Sequence, residues 1–136
     1  MVDVLLTKRV EFAASHTYRN PHWSEEKNRK VFGKLASPYG HGHNYLLEAT
    51  VTGEVNEKTG MAVNIGELKV ALEDVLKDFD HKYLNVDTPY FKEMIPTTEN
   101  LALLLFRLLE KKLEGIRLKR IRLYEDEDLY VDCVGE

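Results

Sequence analysis

The chain has 136 residues, of which 43% are hydrophobic and 31% are charged, and its formal net charge is -4 at pH 7. This length predicts a single domain over residues 1–136 that is large enough to bury a hydrophobic core. The small net charge and the interspersed signs exclude a basic nucleic-acid-binding surface and a charged, disordered tail.

The cysteine content and the N-terminal segment indicate a cellular compartment. Cys133 is the one cysteine of the chain, so no intramolecular disulfide can form, which is typical of proteins from reducing compartments. The segment "MVDVLLTKRVEFAASH" has charged residues within its apolar runs, which argues against a signal peptide and against a membrane span. We therefore expect a cytoplasmic protein.

The first part of the chain predicts two strands separated by a long polar segment. Apolar and polar residues alternate from Val2 to His16, which predicts a strand whose apolar face ends with His16. Residues 17–39 are too long for a simple connection and predict a functional loop with one helical turn. Alternation resumes from His41 to Val55 and predicts a second strand, closed by the turn "NEKTG".

Two helices follow. Apolar residues spaced as on one helix face run from Leu68 to Phe79, which predicts an amphipathic helix that ends near Asp80 and His81. The segment "TTEN", residues 97–100, supplies a hydroxyl cap and a first-turn carboxylate, which predicts a second helix that ends at Gly115.

A hairpin completes the predicted order of strand, strand, helix, helix, strand, strand. Its two strands are predicted at Ile116–Glu125 and Leu129–Val134, on either side of an acidic turn. Leu118 and Ile121 differ in parity, although both are apolar, which indicates a β-bulge in the first of these strands.

Three histidines are candidate metal ligands. His41 and His43 are two residues apart on a predicted strand, so their rings point the same way and can converge on one ion. Pairing of the first two strands would bring His16 against them, and three neutral imidazoles favour zinc with a fourth position left open. The alternative is three satisfied polar residues at strand ends. A cupin-like His-x-His-x4-Glu site is a further alternative, but the parity of Glu48 turns it to the other sheet face.

A glutamate and an aspartate–histidine pair are further candidate site residues. Glu125 shares a strand face with Ile121 and Leu123, where a carboxylate is costly to bury unless a partner or ligand satisfies it. It can equally begin the solvated turn at 126–128. Asp80 can orient His81 for proton transfer, although such pairs are also common on helix ends at protein surfaces.

Several ordered motifs together extend over nearly the whole chain: "FAASH" ending at His16, "FGK" at 32–34, "GHGHNY" at 40–45, "TGMAVNIGELK" at 59–69, "DHKYLN" at 80–85, "TTEN" at 97–100 and "LYED" at 123–126. In these motifs the sequence resembles the 6-pyruvoyl-tetrahydropterin synthase family, which includes the bacterial 6-carboxy-tetrahydropterin synthases. The resemblance implies an α+β tunnelling fold, in which each subunit has a four-stranded antiparallel sheet and two helices. It also implies that subunits assemble into barrels, as a trimer or as a hexamer of two trimers.

The resemblance further implies a zinc-dependent lyase that acts on 7,8-dihydroneopterin triphosphate and eliminates triphosphate. It implies that zinc is bound by His16, His41 and His43. Glu125 is then expected to bind the amino-pyrimidine edge of the pterin, with Thr97 and Thr98 beside the ring. Asp80 and His81 resemble the family's proton relay, and Glu125 is grouped with them as catalytic, at a site between subunits.

The chain departs from the family at the position of its catalytic cysteine, directly after "FGK", where it has Leu35. A branch that forms a hydroxymethyl-pterin has a glutamate three residues before the first histidine of "HGH", and here that residue is Pro38. Cys133 is expected to be a small buried residue and not a displaced nucleophile. The loop offers other candidates for the base, namely His22, Glu25, Glu26, Ser37 and Tyr39. The product, whether pyruvoyl, carboxy or hydroxymethyl, therefore stays open, as does a pterin-binding protein without lyase activity.

Overall fold

A computed structural model describes residues 2–136 and contains a five-stranded sheet. The strands are β1 (Leu5–His16), β2 (His41–Thr52), β3 (Lys82–Tyr83), β4 (Arg117–Asp126) and β5 (Leu129–Val134). Their order across the sheet is β3-β1-β2-β4-β5. The pairs β1–β2, β2–β4 and β4–β5 are antiparallel, whereas β3 runs parallel to β1.

The two long helices, α2 (Ile65–Leu76) and α4 (Thr98–Lys112), pack against each other and against one face of the sheet. Each begins at a capping side chain: Asn64 accepts hydrogen bonds from the backbone N–H groups of Gly66 and Glu67, and Thr97 accepts one from Asn100. The helices are α1 (Glu25–Phe32), a short 3-10 helix (Gly33–Ala36), α2 (Ile65–Leu76), α3 (Leu84–Asp87) and α4 (Thr98–Lys112).

The expected sheet of four strands is wrong, because the structure has a fifth strand, β3. The backbone N–H of His81 donates to the carbonyl of Ala13 at 2.6 Å, and Lys82 and Tyr83 then pair with Ala14 and Ser15. Two residues are too few to produce an alternating pattern, so no periodicity in the sequence could indicate this strand.

The bounds of the first two strands are shorter than predicted. β1 begins at Leu5 instead of Val2, and β2 ends at Thr52 instead of Val55, because Leu5 and Thr52 are the last residues that face each other across the pair. The opposite end of the pair joins His16 to His41, so the register of the whole β1–β2 ladder places these two histidines side by side.

The helices also differ from their predicted bounds. α2 begins before the predicted apolar stretch and ends at Leu76, while Phe79 lies beyond it in a turn and is fully buried. α4 ends at Lys112 instead of Gly115. The predicted loop at residues 17–39 holds more than one helical turn, since it contains α1 and the 3-10 helix.

The predicted bulge is confirmed. Thr50 faces Arg120 and Val51 faces Leu118, so Lys119 is the extra residue of β4. This lets both Leu118 and Ile121 point into the core between the sheet and the two long helices. Within residues 2–136, no helix is long and apolar enough to cross a membrane.

Candidate active site

Three histidines converge where β1 ends and β2 begins. The rings of His16 and His41 have centroids 4.6 Å apart, and the His43 ring lies 5.1 Å from each of them. Each ring offers a nitrogen within 4.8 Å of the others, an arrangement that could hold a metal ion. The structure therefore brings together the three histidines that strand parity predicted.

The ring of His16 is fixed by a carbonyl from the loop before α4. His16 Nδ1 lies 2.7 Å from the backbone oxygen of Pro96, and the side chain is 0% exposed. A carbonyl oxygen only accepts, so Nδ1 carries the proton and donates it, which leaves the lone pair of Nε2 pointing into the cluster. A hydrogen bond of this kind orients a histidine for metal binding.

The environment keeps at least two of these rings neutral. Burial lowers the pKa of His16 to about 4, assisted by the nearby His41 and His43 and opposed by the hydrogen bond to Pro96. Burial and His43 also lower the pKa of His41, against the opposing effect of Glu125. Because metal ligation needs the unprotonated nitrogen, His16 and His41 are poised for it at neutral pH.

Glu125 lies inside the cluster and not on the solvated turn. Its side chain is 12% exposed, and Oε1 is 3.5 Å from Nε2 of both His16 and His43. Thr98 Oγ1 donates a hydrogen bond of 3.0 Å to the same oxygen. A cavity of about 580 Å³ is lined by Glu125, His43 and Tyr124, among others, so the carboxylate borders both the histidines and a space of ligand size.

The two predicted threonines, Thr97 and Thr98, lie at the start of α4 and make different contacts. Thr98 is 1% exposed and contacts Glu125. The Thr97 hydroxyl caps the helix through Asn100, and Asn100 Nδ2 donates to the carbonyl of Ile95. The same short segment therefore holds the His16 ring through Pro96 and the Glu125 carboxylate through Thr98.

Asp80 and His81 form a pair at the outer edge of the sheet. His81 Nδ1 lies 2.9 Å from Asp80 Oδ1, and that oxygen also accepts the backbone N–H of Ala13 at 2.9 Å. The His81 side chain is 82% exposed, and its backbone has a positive φ of 62°. His81, but not Asp80, lines a second cavity, of about 550 Å³, together with His43 and Asn44.

Tyr18 is a neighbour of the cluster that the sequence analysis missed. Its ring centroid lies 5.2 Å from that of His16 and 6.4 Å from that of His41. Burial and the nearby Glu125 raise the pKa of its phenol. Its position two residues after His16 was the available signal, because alternate residues of an extended segment point the same way.

Three of the loop residues considered as replacements for the cysteine lie on the surface. His22 pairs with Glu93 at 2.7 Å on the surface, Glu25 pairs with Arg19, and Tyr39 is 94% exposed. Leu35, at the cysteine position, is 43% exposed. Its carbonyl accepts hydrogen bonds from Tyr18 N and Thr17 Oγ1, so the backbone here ties the loop to the end of β1.

An α+β protein in which strand ends gather three histidines and a carboxylate beside a cavity has the construction of an enzyme able to use a metal ion. The family model for 6-pyruvoyl tetrahydropterin synthase matches residues 5–136. The chain belongs to this family.

Individual relatives agree with this assignment. The human 6-pyruvoyl tetrahydrobiopterin synthase is 39% identical over 132 residues, which cover 96% of this chain and 91% of the relative. A protein of Archaeoglobus fulgidus named putative 6-carboxy-5,6,7,8-tetrahydropterin synthase is 36% identical, over 96% of this chain and 95% of the relative. The structure of the 6-pyruvoyl tetrahydropterin synthase of Caenorhabditis elegans superposes with a TM-score of 0.94 at 29% identity, covering 100% of this chain and 98% of that one.

Proposed function

We propose that the protein is a zinc-dependent lyase that acts on 7,8-dihydroneopterin triphosphate and forms a 6-pyruvoyl-tetrahydropterin with release of triphosphate. The convergence of His16, His41 and His43 beside a buried Glu125 is the observation that carries the proposal. Family membership supports a pterin synthase, and the choice of zinc follows from three imidazole ligands.

In this proposal one set of residues binds the metal ion and another set binds the substrate. Zinc held by His16, His41 and His43 would supply Lewis acidity that acidifies C–H bonds next to the side-chain hydroxyls of the substrate. Glu125 binds the N–H donors of the amino-pyrimidine edge, and the hydrogen bond from Thr98 fixes the direction of its carboxylate. The ring is thereby held in one orientation, which presents one face of the side chain to the three histidines.

Proton transfer is assigned to the Asp80–His81 pair of a neighbouring subunit. His81 is 82% exposed, so its ring is accessible to a partner chain, and Asp80 holds it in one orientation. The sheet favours such an assembly, because in the described part of the chain β1 pairs on its outer side with β3 only, at Ala14 and Ser15. We propose a cytoplasmic homo-oligomer, a trimer or a hexamer of two trimers. In it the sheets of neighbouring subunits pair along these edges and form barrels.

A second candidate function is a pterin-binding protein without lyase activity, and Leu35 is the observation that favours it. A leucine cannot transfer a proton, so the cysteine of the family has no chemical equivalent at this position. The residues proposed to bind the ring and the metal are all present in the same chain.

The test is incubation of the zinc-loaded protein and of a metal-stripped sample with 7,8-dihydroneopterin triphosphate. The proposal expects triphosphate release that depends on zinc. Tight binding of the pterin without release of triphosphate would exclude the lyase and leave the binding function.

A further inference from the structure

Two distances around Glu125 are close to those between ligands of one tetrahedral ion. Zinc bound at about 2.0–2.1 Å by each ligand in a tetrahedron has its ligand atoms separated by about 3.3–3.4 Å. Glu125 Oε1 lies 3.5 Å from His16 Nε2 and 3.5 Å from His43 Nε2. The carboxylate oxygen thus already has the separation of a coordinating atom from two of the three histidines.

The polarity of the contact between His16 and Glu125 favours a cation between the two groups. His16 donates its Nδ1 proton to Pro96, so its Nε2 presents a lone pair. Neither His16 Nε2 nor His43 Nε2 has a hydrogen-bond partner within residues 2–136, although both are buried. The lone pair of His16 Nε2 faces a buried carboxylate oxygen, which is repulsive, and a metal ion bound between the two groups would make the contact favourable.

We propose that Glu125 is the fourth ligand of the ion held by His16, His41 and His43 in the ligand-free protein, and that pterin binding removes it from the ion. The inference rests on the proposed function, in which the same carboxylate binds the pterin ring.

Glu125 cannot bind the metal ion and the pterin ring at the same time. A bidentate contact to the amino-pyrimidine edge uses both carboxylate oxygens, whereas Oε1 in the present conformation faces the histidines. Thr98 Oγ1, 3.0 Å from Oε1, can hold the carboxylate in either role. Ring binding therefore opens the fourth position for the substrate side chain, and without a pterin the position stays closed.

The test uses the cobalt(II)-substituted protein, whose visible absorption reports the number and type of ligands, together with zinc affinity from chelator competition. Glu125→Gln keeps the size of the side chain and an acceptor for Thr98 but loses the anionic ligand. Glu127→Gln is the matched control, because it removes one negative charge from the lining of the same cavity. Thermal denaturation of the metal-free proteins verifies that both variants fold.

We expect Glu125→Gln to weaken zinc binding roughly ten-fold or more and to change the cobalt spectrum, whereas Glu127→Gln changes neither. Adding 6-methylpterin, which has the ring but no side-chain hydroxyls, to the wild-type cobalt protein should shift its spectrum toward that of Glu125→Gln. A crystal structure of the zinc-loaded wild type should show a Glu125 oxygen at bonding distance from the ion.

Equal affinity and equal spectra for Glu125→Gln and wild type would overturn the ligand assignment while leaving the proposed lyase intact. A pterin that binds without any spectral change would overturn the displacement. Failure of the proposed function has a different signature: cobalt would not bind through the three histidines, or 6-methylpterin would not bind at all.

Discussion

Single residues of the site were predictable to the extent that strand parity determines where a side chain points. His16, His41 and His43 could be placed on one sheet face from the alternation around them, and Glu125 from the apolar residues that precede it. The carbonyl of Pro96 could not be predicted, because its contact with His16 spans 80 residues and depends on how the loop before α4 folds. The roles of the three histidines and Glu125 in metal and pterin binding stay predictions, as do those of Asp80, His81 and Thr97.

His41 is the most direct residue for testing the metal site. His41→Ala removes one imidazole from the cluster and should weaken zinc binding roughly 100-fold or more, measured by chelator competition. His22→Ala is the matched control, since its ring is 72% exposed and pairs with Glu93 on the surface. Equal losses of affinity in the two variants would contradict the assignment of His41.

A substitution at Thr98 tests whether its hydroxyl orients the Glu125 carboxylate. Thr98→Val keeps the shape of a buried side chain but removes the hydrogen bond to Glu125, so KM for the pterin substrate should rise about 5-fold, the value of one such bond. Thr88→Val is the control, because Thr88 is also buried but its hydroxyl donates to Leu84. An identical KM in Thr98→Val and Thr88→Val would show that Thr98 has no part in binding.

Among the elements, the long strands and helices were predictable and the short ones were not. β1, β2, β4, β5, α2 and α4 each have enough residues to show a period, and the bulge in β4 was visible as a break in parity. α1 and β3 are held by contacts outside their own sequence. Asn28 of α1, for example, is fully buried and bonds to the backbone of Asn20, Trp23 and Ser24.

The contact between α2 and α4 should make stability depend on acidic pH. The side chain of Lys112, and then that of Lys77, lower the pKa of Asp74 from its ordinary 3.8 to about 2. The unfolded chain therefore takes up this proton first as the pH falls, so the stabilisation is present above pH 3.8 and is lost as the pH falls through about 2.

Asp74→Asn should accordingly lower the thermal midpoint slightly at pH 7, with a difference from wild type that narrows toward pH 2 and in high salt. The control is Glu73→Gln, because Glu73 makes a single longer ion pair within α2, at 4.0 Å from Lys69, and should have a smaller effect. A difference for Asp74→Asn that is constant across pH and salt would show that its charge is not the cause.

For the whole molecule, the family could be recognised because several ordered motifs, from "FAASH" to "LYED", extend over nearly the whole chain. The oligomer and the reaction product could not be derived in the same way. They depend on contacts between chains and on a proton-transferring group that Leu35 does not provide. For the proton-transferring group, the structure places Tyr18 beside the three histidines. His22 and Tyr39, two other candidates, lie in exposed positions.

The measurement that tests the central proposal most directly is the mass of the pterin formed from 7,8-dihydroneopterin triphosphate by the zinc-loaded protein, with triphosphate followed in the same reaction. We predict a 6-pyruvoyl-tetrahydropterin and one triphosphate released for each pterin converted. Recovery of unchanged substrate, from a protein that holds zinc and binds the pterin, would contradict the proposal.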